Sequence, residues 1–260
     1  MDGIVTKEFE DLCFHSIGLI DQNREYLQMH LSELKDERIG QALLDIGVES
    51  ARLERAMSEM LSLLEVSAGE GSTAKERPLC WFDLCQTLRS AEGAKEAILC
   101  QTGVKLTVKT TLDHAWLYAD AERTEQILFH LLSNALRACA SGKKVELGLE
   151  KKADVYLLTV TDNGCGLPKE ENWQENHRRF LGGAKLGLRL CRVYCEQAGW
   201  DLSVHDRKSR GTQAELRIPL PPEDAEVLTT VDLHSSGAVE AGRLQWLLER
   251  EARVLSPAEK

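Results

Sequence analysis

The chain has 260 residues, 43% hydrophobic and only 5% aromatic, which is long enough for one full core and a smaller companion element. Its 42 acidic and 32 basic side chains give a net charge of −10, which disfavours non-specific binding to nucleic acid or to an anionic membrane. The eight cysteines form no C-x-x-C pair, which argues against a zinc site or a disulfide framework. Neither a signal peptide nor an apolar run of 18 residues is visible. We therefore expect a cytoplasmic protein without a membrane span.

Residues 5–66 predict two long amphipathic helices. This stretch contains no proline, and its apolar residues recur at helical spacing on both sides of a turn near "KDER". Because one hairpin cannot cover both of its apolar stripes, we expect two copies to pair into a four-helix bundle, which makes the protein a homodimer. The predicted hairpin domain is 1–68. The small, polar residues that follow are typical of a linker, which we place at 69–76.

The pattern over 77–222 predicts a second domain with an α+β fold. "WFDLCQTLRSAEGAKEAILCQTG" indicates a helix, "VKLTVKT" a strand, and "AERTEQILFHLLSNALRACASG" a helix that ends at Gly142. Two strands follow in "KVELGLE" and "DVYLLTVTD", then a loop to Gly183, a helix "LGLRLCRVYCEQAG", and two strands in "DLSVHD" and "TQAELRIPL". This order favours an α/β sandwich in which helices cover one face of a mixed sheet.

The predicted last region, 223–260, is a loose tail with one short amphipathic helix, "AVEAGRLQWLLEREARVL". The sequence leaves open whether this helix docks on the body of the protein or on a partner.

Asn134 interrupts a segment, "EQILFHLLSNAL", that otherwise resembles a core helix. A buried side-chain amide without partners costs roughly a few kcal/mol, so we expect Asn134 to have a partner. A core asparagine that caps a neighbouring backbone group is one explanation, and a bound cation is the other.

Three short motifs occur in a common order: "SNALRACASG", then "DNGCGLP" directly after a strand, then "GGAKLGL" followed by "RGTQAELRIPL". Together they resemble the GHKL or Bergerat-type ATP-binding domain that sensor histidine kinases share with DNA gyrase, heat-shock chaperone ATPases and mismatch-repair ATPases. The resemblance covers about residues 77–220. It rests on the order and spacing of several motifs, since any one of them alone would be weak.

The resemblance implies a site for ATP and magnesium. A carboxylate at the end of a strand, Asp162, would accept the exocyclic amine of adenine, and Gly164 and Gly166 would let the base approach the backbone. Asn134 would give an amide oxygen to the magnesium ion, which answers the question that this residue raises. The remaining implied nucleotide contacts are Gly183, Gly187, Leu188 and Thr212. The alternatives are an acidic turn between strands for Asp162 and an ordinary strand position for Thr212.

Two departures from the family pattern bear on chemistry. Lys185 stands where the family usually has glycine, and it would neutralise charge on the terminal phosphate together with Arg137. His130 stands where many histidine kinases have a second asparagine and where the hydrolysing branches have a catalytic glutamate. Without that glutamate we do not expect efficient ATP hydrolysis, which leaves phosphoryl transfer or binding.

In histidine kinases, the helical hairpin before the ATP-binding domain carries the histidine that accepts phosphate. "FHSIGLIDQN" places His15 in the corresponding position, about 120° from the apolar stripe of its helix. Ser16 replaces the acidic residue that is usual in the family, and no proline follows. An ordinary surface histidine is the alternative, and His30 on the same helix is the weaker candidate.

The sequence thus predicts a histidine-kinase-like protein of two-component signalling. It would bind Mg-ATP, phosphorylate itself on His15 and pass the phosphoryl group to the receiver domain of a response regulator. Two alternatives use the same nucleotide site: a protein-serine kinase of the anti-sigma type, and a noncatalytic module that controls a partner in response to nucleotide.

Overall fold

The computed structural model of the protein describes residues 2–31, 37–67, 79–139, 142–167, 186–221 and 242–255. The chain divides into two compact units, one built on residues 1–75 and the other on most of the chain that follows. Among the described helices, none is both long enough and apolar enough to cross a membrane. The predicted linker at 69–76 lies outside the described residues.

The first unit is the predicted pair of helices, α1 (Asp2–Leu31) and α2 (Glu37–Ser67). They pack against each other and bury Ile17, Leu43 and Leu61, which are 4%, 7% and 6% exposed. Both helices also leave large apolar side chains exposed by 40% or more: Leu19, Ile20, Tyr26, Leu27, Met29, Ile46, Leu53, Met60 and Leu64. Pairing with a second hairpin stays a prediction, for which these exposed side chains supply a physical reason.

The second unit confirms the predicted α+β class and the mixed sheet. Five strands have the order β2-β4-β5-β7-β6, in which β2 and β4 are parallel and every other neighbouring pair is antiparallel. The elements are β1 (Cys80–Asp83), α3 (Leu84–Gly93), α4 (Lys95–Thr102), β2 (Lys105–Thr110), β3 (Trp116–Ala119), α5 (Ala121–Ala138), β4 (Lys144–Lys152), β5 (Val155–Asp162), α6 (Leu186–Ala198), β6 (Asp201–Asp206), β7 (Thr212–Pro219) and α7 (Arg243–Leu255).

The single helix predicted over residues 81–103 is wrong at its start and in its middle. Residues Cys80–Asp83 form β1, which pairs antiparallel with β3, a strand that the sequence analysis missed. Asp83 ends β1 and caps α3, because its Oδ1 accepts hydrogen bonds from the backbone N–H groups of Cys85 and Ala115, both at 2.9 Å. Ala94 then separates α3 from α4. The cap depends on a loop more than 30 residues away in sequence, which a local pattern does not reveal.

The burial pattern of β5 explains how the fold positions Asp162. Alternate residues of this strand face the core, so Tyr156, Leu158 and Val160 are buried. Asp162 is in phase with them and is only 4% exposed. Its carboxyl group therefore lies at the end of an apolar row.

Helix α7 is docked on the second unit, which answers the question that the sequence left open for this helix. The helix packs against α3, α4 and α5, and its apolar stripe, Leu244, Leu248 and Ala252, is fully buried. Burying a leucine side chain stabilises a fold by about 1.5–3 kcal/mol, so this stripe is a substantial contribution to the second unit. The rest of the predicted tail, 223–241 and 256–260, lies outside the described residues.

Candidate nucleotide-binding site

Asp162, the acidic residue of the predicted site, has a buried side chain. Its Oδ1 accepts a hydrogen bond from the Gly164 N–H at 2.8 Å. Burial raises the pKa of Asp162 above its ordinary value, and the Gly164 hydrogen bond, the polar groups of Thr212 and the Arg207 guanidinium oppose the rise. The structure therefore brings Asp162, Gly164 and Thr212 together around one carboxylate.

The glycines beside Asp162 have a packing reason that the sequence analysis did not give. A Cβ atom on Gly164 would lie 2.2 Å from the carbonyl oxygen of Ala138, at the end of α5. A Cβ atom on Gly211 would lie 2.1 Å from the carbonyl oxygen of Asp162, and this residue has a φ of +92°. Gly166 has a φ of +82°, which also favours glycine. Close backbone contacts within the protein thus require glycine at these positions, whether or not a base approaches them.

Hydrogen bonds from both sides hold the loop after β5. The Cys165 N–H donates to the carbonyl oxygen of Ala138 at 3.0 Å, which ties the loop to the last turn of α5. The Leu167 N–H donates to Oδ1 of Asp206 at 2.7 Å, which ties it to the end of β6. Because Ala138 lies one helical turn after Asn134, this loop joins the Asp162 carboxyl to the part of α5 that carries Asn134.

The side chain of Asn134 is exposed, which corrects the expectation of a core amide. Its neighbours Ser133 and Ala135 are buried, so α5 turns this position away from the core. The residue therefore needs no buried partner, and its amide oxygen suits a magnesium ion that is also bound by phosphate oxygens and water. No cluster of three or more His, Cys, Asp or Glu side chains lies within the described residues to form a cage of protein ligands. The donor set fits an ion that arrives with a nucleotide.

The structure pairs Arg137 with a residue that the sequence analysis missed. Its Nε donates to Oε1 of Glu251 on α7 at 2.7 Å, and the two side chains are 9% and 6% exposed. The hydroxyl of Ser133 donates to the same oxygen at 2.8 Å. The sequence showed that α7 is amphipathic, but it did not show that α7 packs against α5. It therefore gave no sign that Glu251 would pair with Arg137.

The structure describes four more of the residues that the sequence analysis discussed. Gly187 and Leu188 lie in the first turn of α6, and Gly187 is buried. His130 is buried, at 6% exposure, and His15 is exposed on α1 in the first unit. Gly183 and Lys185 lie outside the described residues.

The fold of the second unit is that of a histidine-kinase catalytic domain. Residues 119–222 match the family described as histidine kinase-, DNA gyrase B-, and HSP90-like ATPases. The chain therefore carries a histidine-kinase-type ATP-binding domain.

Two curated relatives carry names of sensor proteins, and one of them is named a sensor-like histidine kinase. The chain is 25% identical over 195 residues to sensor protein SrrB of Staphylococcus aureus, across 71% of this chain and 32% of that protein. It is 24% identical over 234 residues to an uncharacterized sensor-like histidine kinase of Rhizobium meliloti, across 82% of this chain and 44% of that protein. The chain thus spans less than half the length of these two relatives.

Solved structures of histidine kinases share the fold. The histidine kinase AdeS of Acinetobacter baumannii aligns with a TM-score of 0.53 at 20% identity, covering 80% of this chain and 98% of that one. Full-length ShkA in complex with AMPPNP aligns with a TM-score of 0.58 at 19% identity, covering 84% of this chain and 45% of that one. Histidine kinase ThkA, in complex with the response regulator TrrA, aligns with a TM-score of 0.53 at 22% identity, over 84% and 62%.

Proposed function

We propose that the protein is a histidine kinase of two-component signalling that binds Mg-ATP, phosphorylates itself on His15 and passes the phosphoryl group to a response regulator. The observation that carries this proposal is the buried Asp162 carboxyl at the end of β5, inside a domain of the histidine-kinase ATPase type. The exposed histidine on the preceding helical hairpin adds the acceptor.

The Asp162 site favours adenine over guanine. Adenine presents an exocyclic amine, which donates to a carboxylate, whereas guanine presents a carbonyl oxygen at the corresponding ring position. A buried carboxylate would leave that oxygen without a donor and would repel it, so the wrong base is rejected. The Gly164 N–H already donates to Oδ1 of Asp162 at 2.8 Å, which favours one orientation of the carboxyl group for the base.

We place the phosphates between Asn134 and the start of α6. The exposed amide of Asn134 would bind the magnesium ion, which neutralises charge on the phosphates when it is bound. Gly187 and Leu188 lie in the first turn of α6, where backbone N–H groups and the helix dipole favour anions. Because Arg137 is paired with Glu251 and almost buried, we assign the second positive charge to Lys185 in place of Arg137.

The proposed reaction is a transfer to the imidazole of His15. The unprotonated imidazole nitrogen attacks the γ-phosphorus and a P–N bond forms, while the bond from the γ-phosphorus to the β,γ-bridging oxygen breaks and ADP leaves. The proton on the other ring nitrogen is released to solvent. Such a transfer depends mainly on position and charge neutralisation, so an exposed histidine can serve even with Ser16 as its neighbour. The chain has His130, a buried residue, where the hydrolysing branches have a catalytic glutamate, and the lack of that base favours transfer over hydrolysis.

The relatives support the remaining parts of the proposal. SrrB is named a sensor protein, and ThkA is found with a response regulator. The apolar side chains that α1 and α2 leave exposed favour a second hairpin as their cover, and so a homodimer.

Labelling of the purified full chain with γ-labelled ATP and magnesium tests the proposal. We expect a label that survives alkali and is lost in acid, as a phosphoramidate is, and that is absent in His15→Ala and Asn134→Ala. His30→Ala is the matched control, since His30 is exposed on the same helix and should leave the label unchanged. If His15→Ala labels as well as the wild type, His15 is not the acceptor.

A noncatalytic nucleotide-responsive module is the second candidate, favoured by Ser16 where the family has an acidic residue. ATP binding without any label would support it. An acid-stable label on a partner protein would instead support a serine kinase of the anti-sigma type.

A further inference from the structure

Helix α7 lies along α5 and is joined to it at both ends by charged groups. Near its start, Nη2 of Arg243 donates to Oε1 of Glu122 at 2.8 Å. Near its end, Glu251 contacts Ser133 and Arg137. The matched family region ends at residue 222, so α7 lies beyond it. The helix that carries Asn134 is thus supported by an element that the family match does not include.

Glu251 contacts two residues of α5, one before and one after Asn134 in the sequence. One carboxylate oxygen, Oε1, accepts from the Ser133 hydroxyl at 2.8 Å and from Arg137 Nε at 2.7 Å. Ser133 is the residue directly before Asn134, and Arg137 is three residues after it, so the two anchors span a single turn of α5.

The contact between Glu251, Ser133 and Arg137 is buried. Ser133 is fully buried, Glu251 is 6% exposed, and the Arg137 side chain is 9% exposed. A buried charge pair repays its desolvation only when its geometry is good, and removal of one partner leaves an uncompensated charge in the interior. The Arg243–Glu122 pair differs, because both side chains are more than a third exposed and such pairs contribute little.

We propose that Glu251 is a positioning residue of the nucleotide site: it holds, through Ser133 and Arg137, the turn of α5 that presents Asn134 to the magnesium ion of bound ATP. The inference rests on the proposed role of Asn134. It predicts that the magnesium-dependent part of ATP affinity requires the contact with α7, whereas recognition of the base at Asp162 does not.

The test is calorimetry on the full chain with three probes: Mg-ATP, ATP with a chelator, and adenosine. We expect Glu251→Ala to weaken Mg-ATP binding about tenfold, because small displacements of a positioning group cost this much or more. Adenosine affinity and ATP affinity in chelator should stay within about twofold of the wild type, which is the additivity error of distant sites. Glu251→Gln keeps an acceptor without the charge and should have a smaller effect in the same direction.

Two controls separate positioning from simple destabilisation. Arg243→Gln removes the other charged contact between α7 and α5, and it should leave all three affinities unchanged. In an Asn134→Ala background, Glu251→Ala should have no further effect on Mg-ATP, because a residue that acts through Asn134 cannot act in its absence. Melting temperatures of all variants show how much each substitution destabilises the fold. If Glu251→Ala does not fold, Glu251→Gln carries the test.

The outcomes distinguish the inference from the proposed function. Equal losses for Mg-ATP and adenosine, additive effects with Asn134→Ala, or lower melting temperatures with unchanged affinities would each overturn the positioning role alone. Tighter Mg-ATP binding in Glu251→Ala would also overturn it, because the contact would then withhold Arg137 from the nucleotide. A wild-type chain that binds no Mg-ATP would overturn both the inference and the proposed function.

Discussion

The two units of the protein differ in how they cover their apolar surface. The second unit buries complete rows of side chains, such as Val145, Leu147 and Leu149 of β4, which are not exposed at all. The hairpin buries Ile17 and Leu43 but leaves larger apolar side chains in water, for example Met29 at 72% exposure. A β-sheet with helices packed on it closes its own core, whereas two helices alone cannot. The comparison predicts that the second unit stays folded and keeps its site when it is separated from the hairpin. The hairpin, in contrast, depends on a partner surface.

The largest effect that we expect is loss of ATP binding in Asp162→Ala. The substitution removes the buried acceptor for the adenine amine and leaves the Gly164 N–H without its acceptor, which should weaken binding by about 100-fold or more. Calorimetry measures this on the full chain. Asp201→Ala, at an exposed position of β6, is the control and should bind as the wild type does. Unchanged affinity in Asp162→Ala would remove this residue from the site.

The next prediction tests whether α7 belongs to the core of the second unit. Leu248→Ala should lower the free energy of unfolding by about 3–5 kcal/mol, because Leu248 is fully buried and its truncation leaves a cavity. Trp246→Ala on the same helix is the control, since that side chain is 56% exposed and should change stability by less than about 1 kcal/mol. Denaturant unfolding of both variants gives the two values. Equal small effects would mean that α7 is not part of the folded core.

A third prediction concerns a buried carboxyl group on α5. Glu125 is 3% exposed, and its Oε2 has no hydrogen-bond partner among the described residues. Burial raises its pKa to about 7; Glu122 adds to the rise, and Arg243 opposes it. Between the ordinary value of 4.5 and about 7, the folded chain holds a proton that the unfolded chain has lost. This group therefore destabilises the fold progressively as pH rises through that range, by on the order of 3 kcal/mol in total.

Glu125→Gln should abolish this dependence, because the amide stays neutral. We expect the stability of the variant relative to the wild type to increase between pH 4.5 and pH 8, measured by denaturant unfolding at several pH values. Glu150→Gln serves as the control, since Glu150 is exposed on β4. A pH profile of Glu125→Gln parallel to that of the wild type would show that the carboxyl group is not protonated in the fold.

The smallest effect compares two exposed leucines, one from each unit. Leu53 on α2 is 51% exposed and Leu99 on α4 is 45% exposed. If a second hairpin covers α2, Leu53→Ala should weaken the dimer about tenfold, whereas Leu99→Ala should leave it unchanged. Sedimentation over a concentration series measures both dimer dissociation constants. A full chain that stays monomeric at micromolar concentration would contradict the four-helix bundle.

Local patterns in the sequence predicted many of the helices and strands. Alternation of apolar and polar residues predicted β4 and β5, and helical periodicity predicted α1, α2, α5 and α6, because each element buries one face. The sequence also predicted that Asp162 follows a strand directly, and the structure has Asp162 as the last residue of β5.

Long-range pairing accounts for the errors. β1 and β3 are four residues each and are strands because they pair with one another across α3, α4 and β2. Long-range pairing also decides the surroundings of Asn134 and Arg137, which lie on the same helix and which the sequence assigned to the nucleotide; those assignments stay predictions. The structure exposes the first and pairs the second with Glu251, because the faces of α5 are defined by β4, β5 and α7 together.

The sequence alone therefore determined the class of fold, the order of most elements and the position of the candidate site along the chain, because these depend on periodicity and on short motifs. Tertiary structure decided which polar side chains are buried, why Gly164 and Gly211 must be glycine, and that α7 is part of the core. Those properties arise from contacts between residues that are far apart in the chain, such as Ser133 and Glu251, and no local pattern records which distant residue will be the neighbour.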